Sequence, residues 1–171
     1  RAIHKYGKVI INDISAGELD PLIVDVAAEH DVPYVAMHMK GDPRTMQSMT
    51  DYRDIVAAVV DYFRERTAQL RERGVRRIVV DPGFGFAKTL EQNYELLRGL
   101  HRLAELGYPV LAGVSRKSMI YKLLGTTPAE ALNGTTALHW ECLRQGAAIL
   151  RVHDTREAVE VVRMFDQFMQ A

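Results

Sequence analysis

Three short segments carry the residue types that polar chemistry needs: Asp81-Pro82-Gly83-Phe84-Gly85-Phe86, Gly113-Val114-Ser115-Arg116-Lys117 and Arg151-Val152-His153-Asp154. In the first, a carboxylate ends an apolar run. Such a group can take paired hydrogen bonds from an amidine-like edge, a ring N–H beside an exocyclic amine. The two glycines permit close approach of backbone to a ligand, and Phe84 and Phe86 can wall a flat one. One of the two phenylalanines is expected in the core. In the second, a small residue, a hydroxyl and two cations open a helix, a place where free backbone N–H groups already favour anions. Lys117 can reach into a pocket, and one of Arg116 and Lys117 is expected to be a solvated surface cation. In the third, Arg151 and His153 alternate along an extended segment and so project to one side, a guanidinium fork beside an imidazole that suits a diphosphate. Asp154 is read as the cap of the last helix, with Glu157 at the capping-box position.

Two weaker positions join these. Asn12 follows a buried apolar run, and its carboxamide offers both donor and acceptor to a heterocycle. Asn12 and Asp13 are equally the types that cap turns. Met37 ends another apolar run and can line a pocket, while His38 reads equally as a satisfied supporting group. His4, His30, His101 and His139 fall in helical or terminal contexts and read as surface or packing groups. No His/Cys spacing resembles a zinc site.

The elements that must position these groups alternate strictly. Apolar strand runs cover Val9–Ile14, Pro33–Met37, Arg77–Asp81, Pro109–Gly113 and Ala147–Arg151. Helical periods lie between them: one begins at Pro21, one runs from about Asp51 to Arg73 after a loop with Gly41, Asp42 and Pro43, and one spans Leu90–Leu106. Two more cover Ser118–Leu124 and Pro128–Arg144, and a last helix follows Asp154. The long helix carries an apolar stripe of Ile55, Val59, Phe63 and Leu70. Repeated β-α order implies a parallel sheet with right-handed crossovers. An open doubly wound sheet gathers its ligand groups at one switch point. Here all five strand ends carry polar groups, as in a barrel whose strands converge on one mouth. The fold expected is α/β, a partial (β/α)8 TIM barrel holding the last five βα units of eight. Units of about 33 residues would need roughly 250 residues to close such a barrel.

The 171 residues are 47% hydrophobic and 26% charged, with 22 cationic and 22 anionic side chains. A net charge of zero gives no field to attract nucleic acid or anionic membrane. No apolar run approaches the roughly 18 residues of a membrane span. The single cysteine, Cys142, fits a reducing cytoplasm. The chain opens on Arg1, and Arg1–Lys8 reads as the tail of a helix, so the expectation is one domain over 1–171 cut from something longer.

The chain resembles the dihydropteroate synthase family of folate biosynthesis. The resemblance rests on Ile11-Asn12-Asp13-Ile14-Ser15-Ala16-Gly17, Met37-His38-Met39, the Asp81–Phe86 segment, Gly113–Lys117 and Arg151–Asp154, in matching order and spacing over essentially the whole chain. It implies a (β/α)8 barrel, a homodimer and a magnesium-dependent condensation of 6-hydroxymethyl-7,8-dihydropterin diphosphate with 4-aminobenzoate, the step sulfonamides inhibit. By the same resemblance, Asn12, Asp81 and Lys117 bind pterin, with Met37, Phe86 and Gly113 shaping the pocket. Ser115 and Lys117 meet the aminobenzoate, Arg151 and His153 meet the diphosphate, and Asp81 and Lys117 are the catalytic pair. The family's first three βα units have no counterpart here, and the magnesium ligand is expected among them. Two rivals remain: a pterin-binding methyltransferase domain using methyltetrahydrofolate, which has no use for a diphosphate clamp, and a catalytically inactive fragment.

Overall fold

Five parallel strands form the frame: β1 (Ile11–Asp13), β2 (Tyr34–Met37), β3 (Ile78–Asp81), β4 (Leu111–Ala112) and β5 (Ile149–Leu150). The computed structural model describes residues 5, 7, 9–41 and 50–170. Most of the expected amino-terminal helix tail, His4 and the Asp42-Pro43 loop lie outside the described residues. Strands β1, β2 and β3 pair in that order, with Asp13 opposite Ala36 and Met37 opposite Asp81. Strands β4 and β5 form a second pair, and a single bridge between Val80 and Val110 links it to β3. The strand ends therefore stand side by side, and the polar residues that follow them share one rim. All four β2 residues are buried, as expected for a parallel strand covered on both faces.

The order of strands is curled. In a flat sheet the outer strands of five would lie roughly 19 Å apart. Yet Arg151, just after β5, donates a hydrogen bond of 3.0 Å to Asn12 on β1. The two outermost strands thus face each other across the rim.

Helices α1 (Leu22–Glu29), α2 (Ile55–Glu72), α3 (Leu90–Arg98), α4 (His101–Ala104), α5 (Ser118–Leu124), α6 (Leu132–Arg144) and α7 (Thr155–Gln170) occupy the connections. Asp54 starts α2 by accepting from the Ala57 amide at 2.8 Å. The predicted stripe of Ile55, Val59, Phe63 and Leu70 is buried and meets Phe84, Leu96, Leu100 and Leu103 in the core. Among the described residues no helix is long and apolar enough to cross a membrane.

Three expectations need correction. The Leu90–Leu106 helix breaks after Arg98, with Gly99 at the junction. A β-carbon at Gly99 would lie 2.7 Å from Val56 of α2, so close packing there demands glycine. The Pro128–Arg144 segment opens as a 3-10 turn, Pro128–Glu130, before α6 begins. Asp154 does not spend its side chain on capping α7: both carboxylate oxygens go to Arg116, each at 2.8 Å. The capping box is found instead at α3, where Thr89 and Gln92 bond reciprocally.

Candidate active site

Asp81 lies at the floor of the rim and is fully buried. Its Oδ1 accepts from the Gly83 amide at 2.8 Å. Its Oδ2 stands 2.8 Å from Arg151 Nη1 but without hydrogen-bond alignment, while Nη1 donates to Asn12 Oδ1 at 3.0 Å. A buried carboxylate oxygen thus has charge compensation but no hydrogen bond, a costly condition that a ligand's N–H would relieve. Gly113 makes the arrangement possible: a β-carbon there would lie 2.6 Å from Arg151 Nη2.

Asn12 and Asp13 divide their work. Asp13 accepts from Ser15 N, Ser15 Oγ, Gly17 N and Tyr34 Oη at 2.6–2.9 Å, which makes it the staple of the turn after β1. Burial pushes its carboxyl up, but these hydrogen bonds outweigh burial and leave it below the usual carboxylate range. Asn12 is exposed and turned toward Arg151.

Lys117 bonds the Phe84 carbonyl, and its Nζ sits 4.9 Å over the ring of Phe86. Burial lowers its ammonium to about 8, against the upward pull of Asp81 and with a further downward push from Arg151. Phe84 is core, as one of the two phenylalanines should be, and Phe86 stays half-exposed at the rim. Met37 is fully buried behind the Asp81 loop.

The expectation that one of Arg116 and Lys117 is a solvated surface cation is corrected. Arg116, at φ 52°, holds Asp154 and the carbonyls of Pro128 and Ala129. Its amide donates to Thr135 Oγ1 at 3.0 Å. Arg116 is the anchor that fixes Ser115 and Lys117 on either side of it.

Arg151 and His153 do not act on one spot here. Arg151 turns to Asn12 and Asp81, while the His153 ring and backbone amide meet Ser115 Oγ at 2.9 and 3.2 Å. Ser115 is correspondingly tied to His153. The structure therefore gathers Asn12, Asp81, Gly113, Lys117 and Arg151 into one cluster and Ser115 with His153 into a neighbouring pair.

Sequence reasoning missed Lys88. It is buried, and its Nζ donates to Gly83 O at 3.0 Å and Phe86 O at 2.9 Å and faces His38 Nδ1 at 3.1 Å. A lysine next to a helix start carries no pattern that separates it from a solvated one. His38 is buried as well, and burial followed by the charges of Lys88 and Lys40 lowers it to about 3, so its ring is neutral.

Among the described residues no three His, Cys, Asp or Glu side chains converge as a metal site. Asp81 on the rim is flanked by Arg151 and Lys117. These residues do not fit a magnesium ion.

A buried acid among cations at the aligned ends of parallel strands is the arrangement of an α/β enzyme site. The comparison with known proteins names its class: a family profile described as "Pterin binding enzyme" matches residues 1–153, and the chain belongs to that family. Among curated proteins it is 42% identical to the dihydropteroate synthase of Synechocystis sp. over 94% of this chain and 56% of that protein. It is also 42% identical to that of Escherichia coli over 98% of this chain and 60% of that protein. The crystal structure of dihydropteroate synthase from Thermus thermophilus superposes with a TM-score of 0.91 at 40% identity, covering 95% of this chain and 66% of that one. The same enzyme has been solved with 6HMPPP and with 4-aminobenzoate. This chain spans 56–60% of the length of these curated relatives.

Proposed function

We propose that residues 1–171 are a single pterin-binding domain of a dihydropteroate synthase, carrying the heterocycle-binding half of its reaction. The observation that carries this is the buried, unbonded Asp81 Oδ2 beside Asn12 and Lys117. A pterin presents a ring N–H next to an exocyclic amine, the pair of donors a carboxylate takes best. Asn12 supplies donor and acceptor to the same ring, and Lys117 reaches its far edge from above Phe86.

In the proposed reaction the bond between the pterin methylene and the diphosphate oxygen breaks. Its electron pair leaves on the diphosphate, where the Arg151 and His153 side chains stabilise the growing charge. The aminobenzoate nitrogen, held near Ser115 and Lys117, attacks the methylene carbon and then gives up a proton. No protein nucleophile is needed. For Arg151 to serve the diphosphate it must leave Asp81, and the arriving pterin edge replaces it there. Magnesium enters this reading only as an ion brought with the diphosphate, since the described residues offer it no fitting site.

The same reading makes the five βα units part of a closed (β/α)8 barrel, supported by the curl that brings Arg151 to Asn12. It also makes the assembly a cytoplasmic homodimer. Exposed Met164, Phe168 and Met169 on α7 are the apolar surface such a pair would cover. The test is calorimetry of 6-hydroxymethyl-7,8-dihydropterin with the chain and with Asp81→Asn. The substitution should weaken binding about 100-fold, since one charged partner becomes a neutral amide with a clashing donor. Near-normal affinity in the variant would remove Asp81 from the site.

A further inference from the structure

Lys88 is a buried cation with no anion in direct contact; the nearby buried Asp81 acts on it only through space. The lysine's exposure is 6%, and among the described residues it makes no ion pair. Lysines are almost never buried unless paired, and burial, helped by the charge of Lys117, lowers this one to about 7 against the upward pull of Asp81. Such a group is retained for what it holds. It holds a loop whose backbone is unusual: Gly83, Gly85 and Ala87 all sit at positive φ (68°, 81° and 50°), and Ala87 does so with a side chain. The loop's other bonds are Gly83 N to Asp81 Oδ1, Phe86 N to Gly83 O, Gly85 N to Asn93 Oδ1 and Lys117 Nζ to Phe84 O.

We propose that Lys88 is the positioning residue of this loop: its ammonium, fastened to the carbonyls of Gly83 and Phe86 and to the ring of His38, sets Asp81 and Phe86 in the geometry that meets the heterocycle. The three hydrogens of the ammonium match the three acceptors around it. The third, His38 Nδ1, is an acceptor in the tautomer of the neutral ring that carries its proton on Nε2. His38 closes the circuit, since its amide donates to Asp81 O at 2.9 Å and its carbonyl lies against Gly83, where a β-carbon would come within 2.1 Å. A break at Lys88 therefore frees the far side of Asp81 without touching the ligand itself. The ligand-facing part of this inference rests on the proposed pterin site, and the loop part does not.

The experiment compares the wild-type chain with Lys88→Met by amide hydrogen exchange and by calorimetry with 6-hydroxymethyl-7,8-dihydropterin. In the variant, exchange at Gly83, Gly85 and Phe86 should speed up at least tenfold while Val59 and Phe63 of α2 keep their protection, and pterin affinity should fall about tenfold. Unchanged loop exchange in a folded variant overturns the proposal, whatever the affinity does. Loosened loop amides in a chain whose wild type binds no pterin would uphold Lys88 as the loop's fastener and sink the pterin reading instead. Should Lys88→Met fail to fold, nitrogen-15 spectra of the wild-type lysine ammonium groups decide. Lys88 protons exchanging with water as fast as those of exposed Lys122 overturn the proposal, and protected ones uphold it.

Discussion

Arg151 presents to Asp81 the same kind of edge that a pterin would, two nitrogens on one planar carbon. Its place over Gly113, 2.8 Å from Asp81 Oδ2 but aligned on Asn12, makes it, in the proposed reading, a guanidinium that a better-aligned pterin would displace. Released, the fork has the reach and charge for a diphosphate. Arg151→Ala should therefore weaken binding of the pterin diphosphate ester by about 10- to 100-fold, the worth of a lost charge-assisted hydrogen bond or two. Affinity for the free pterin alcohol should change less than about threefold on the same arithmetic. Equal losses for the two ligands, measured side by side by calorimetry, would deny Arg151 its diphosphate role. At this scale the sequence exposes residue types but not directions. Asn12 and Asp13 are equivalent as letters, and only the pleat decides that one faces the rim while the other staples a turn. Lys88 is invisible for the opposite reason: nothing adjacent in sequence reveals that its three acceptors come from residues 38, 83 and 86.

Strand and helix positions were legible because apolar runs and helical periods are local. The ends were less so. Runs read as five or six residues shrink to two to four once pairing partners are required, as at Leu111–Ala112 and Ile149–Leu150. The break between α3 and α4 depends on Val56, some forty positions away, so no local pattern announces it. Loops after strands are where element-scale predictions are sharpest. Gly83→Ala places a side chain at φ 68° and against the His38 carbonyl, and should destabilise the chain by about 2 kcal/mol or more in denaturant titrations. Thr89→Ala removes only the capping box of α3 and should cost about 1 kcal/mol. If the two substitutions shift the denaturant midpoint equally, the loop is not the constrained segment its dihedrals describe.

The whole molecule carries its charge economy inside. Lys88 and Lys117 have ammonium groups lowered to about 7 and about 8, below the 10.5 of an unfolded lysine. Between those values the unfolded chain binds more protons than the folded one, so stability rises as pH climbs from about 7 toward 10. Tyr34, Tyr52 and Tyr62 have hydroxyls raised by burial, so the unfolded chain loses their protons first and stability falls again above about pH 10. Thermal melts should therefore peak on the alkaline side of neutrality, and a melting point that declines steadily from pH 7 to 9 would contradict the buried lysines. Shape sets the limit on function. Inside the curl, Ile10, Val35, Val79, Leu111 and Ile149 line a groove of about 630 Å³, apolar side chains of the kind that fill a barrel's interior in layers. Ile10 is 67% exposed there, where a closed barrel would cover it. In the proposed reading the five strand ends supply groups for the heterocycle and the diphosphate, but they wall only part of a rim, and the dihydropteroate synthases it matches are longer by two-fifths or more of their length. Water excluded on one side and admitted on the other favours hydrolysis or release over amine attack. The purified 171-residue chain should bind pterin yet form no dihydropteroate from the diphosphate ester and 4-aminobenzoate. Robust turnover by the chain alone would mean that five strand ends suffice, and that the exposed groove belongs to a complete site.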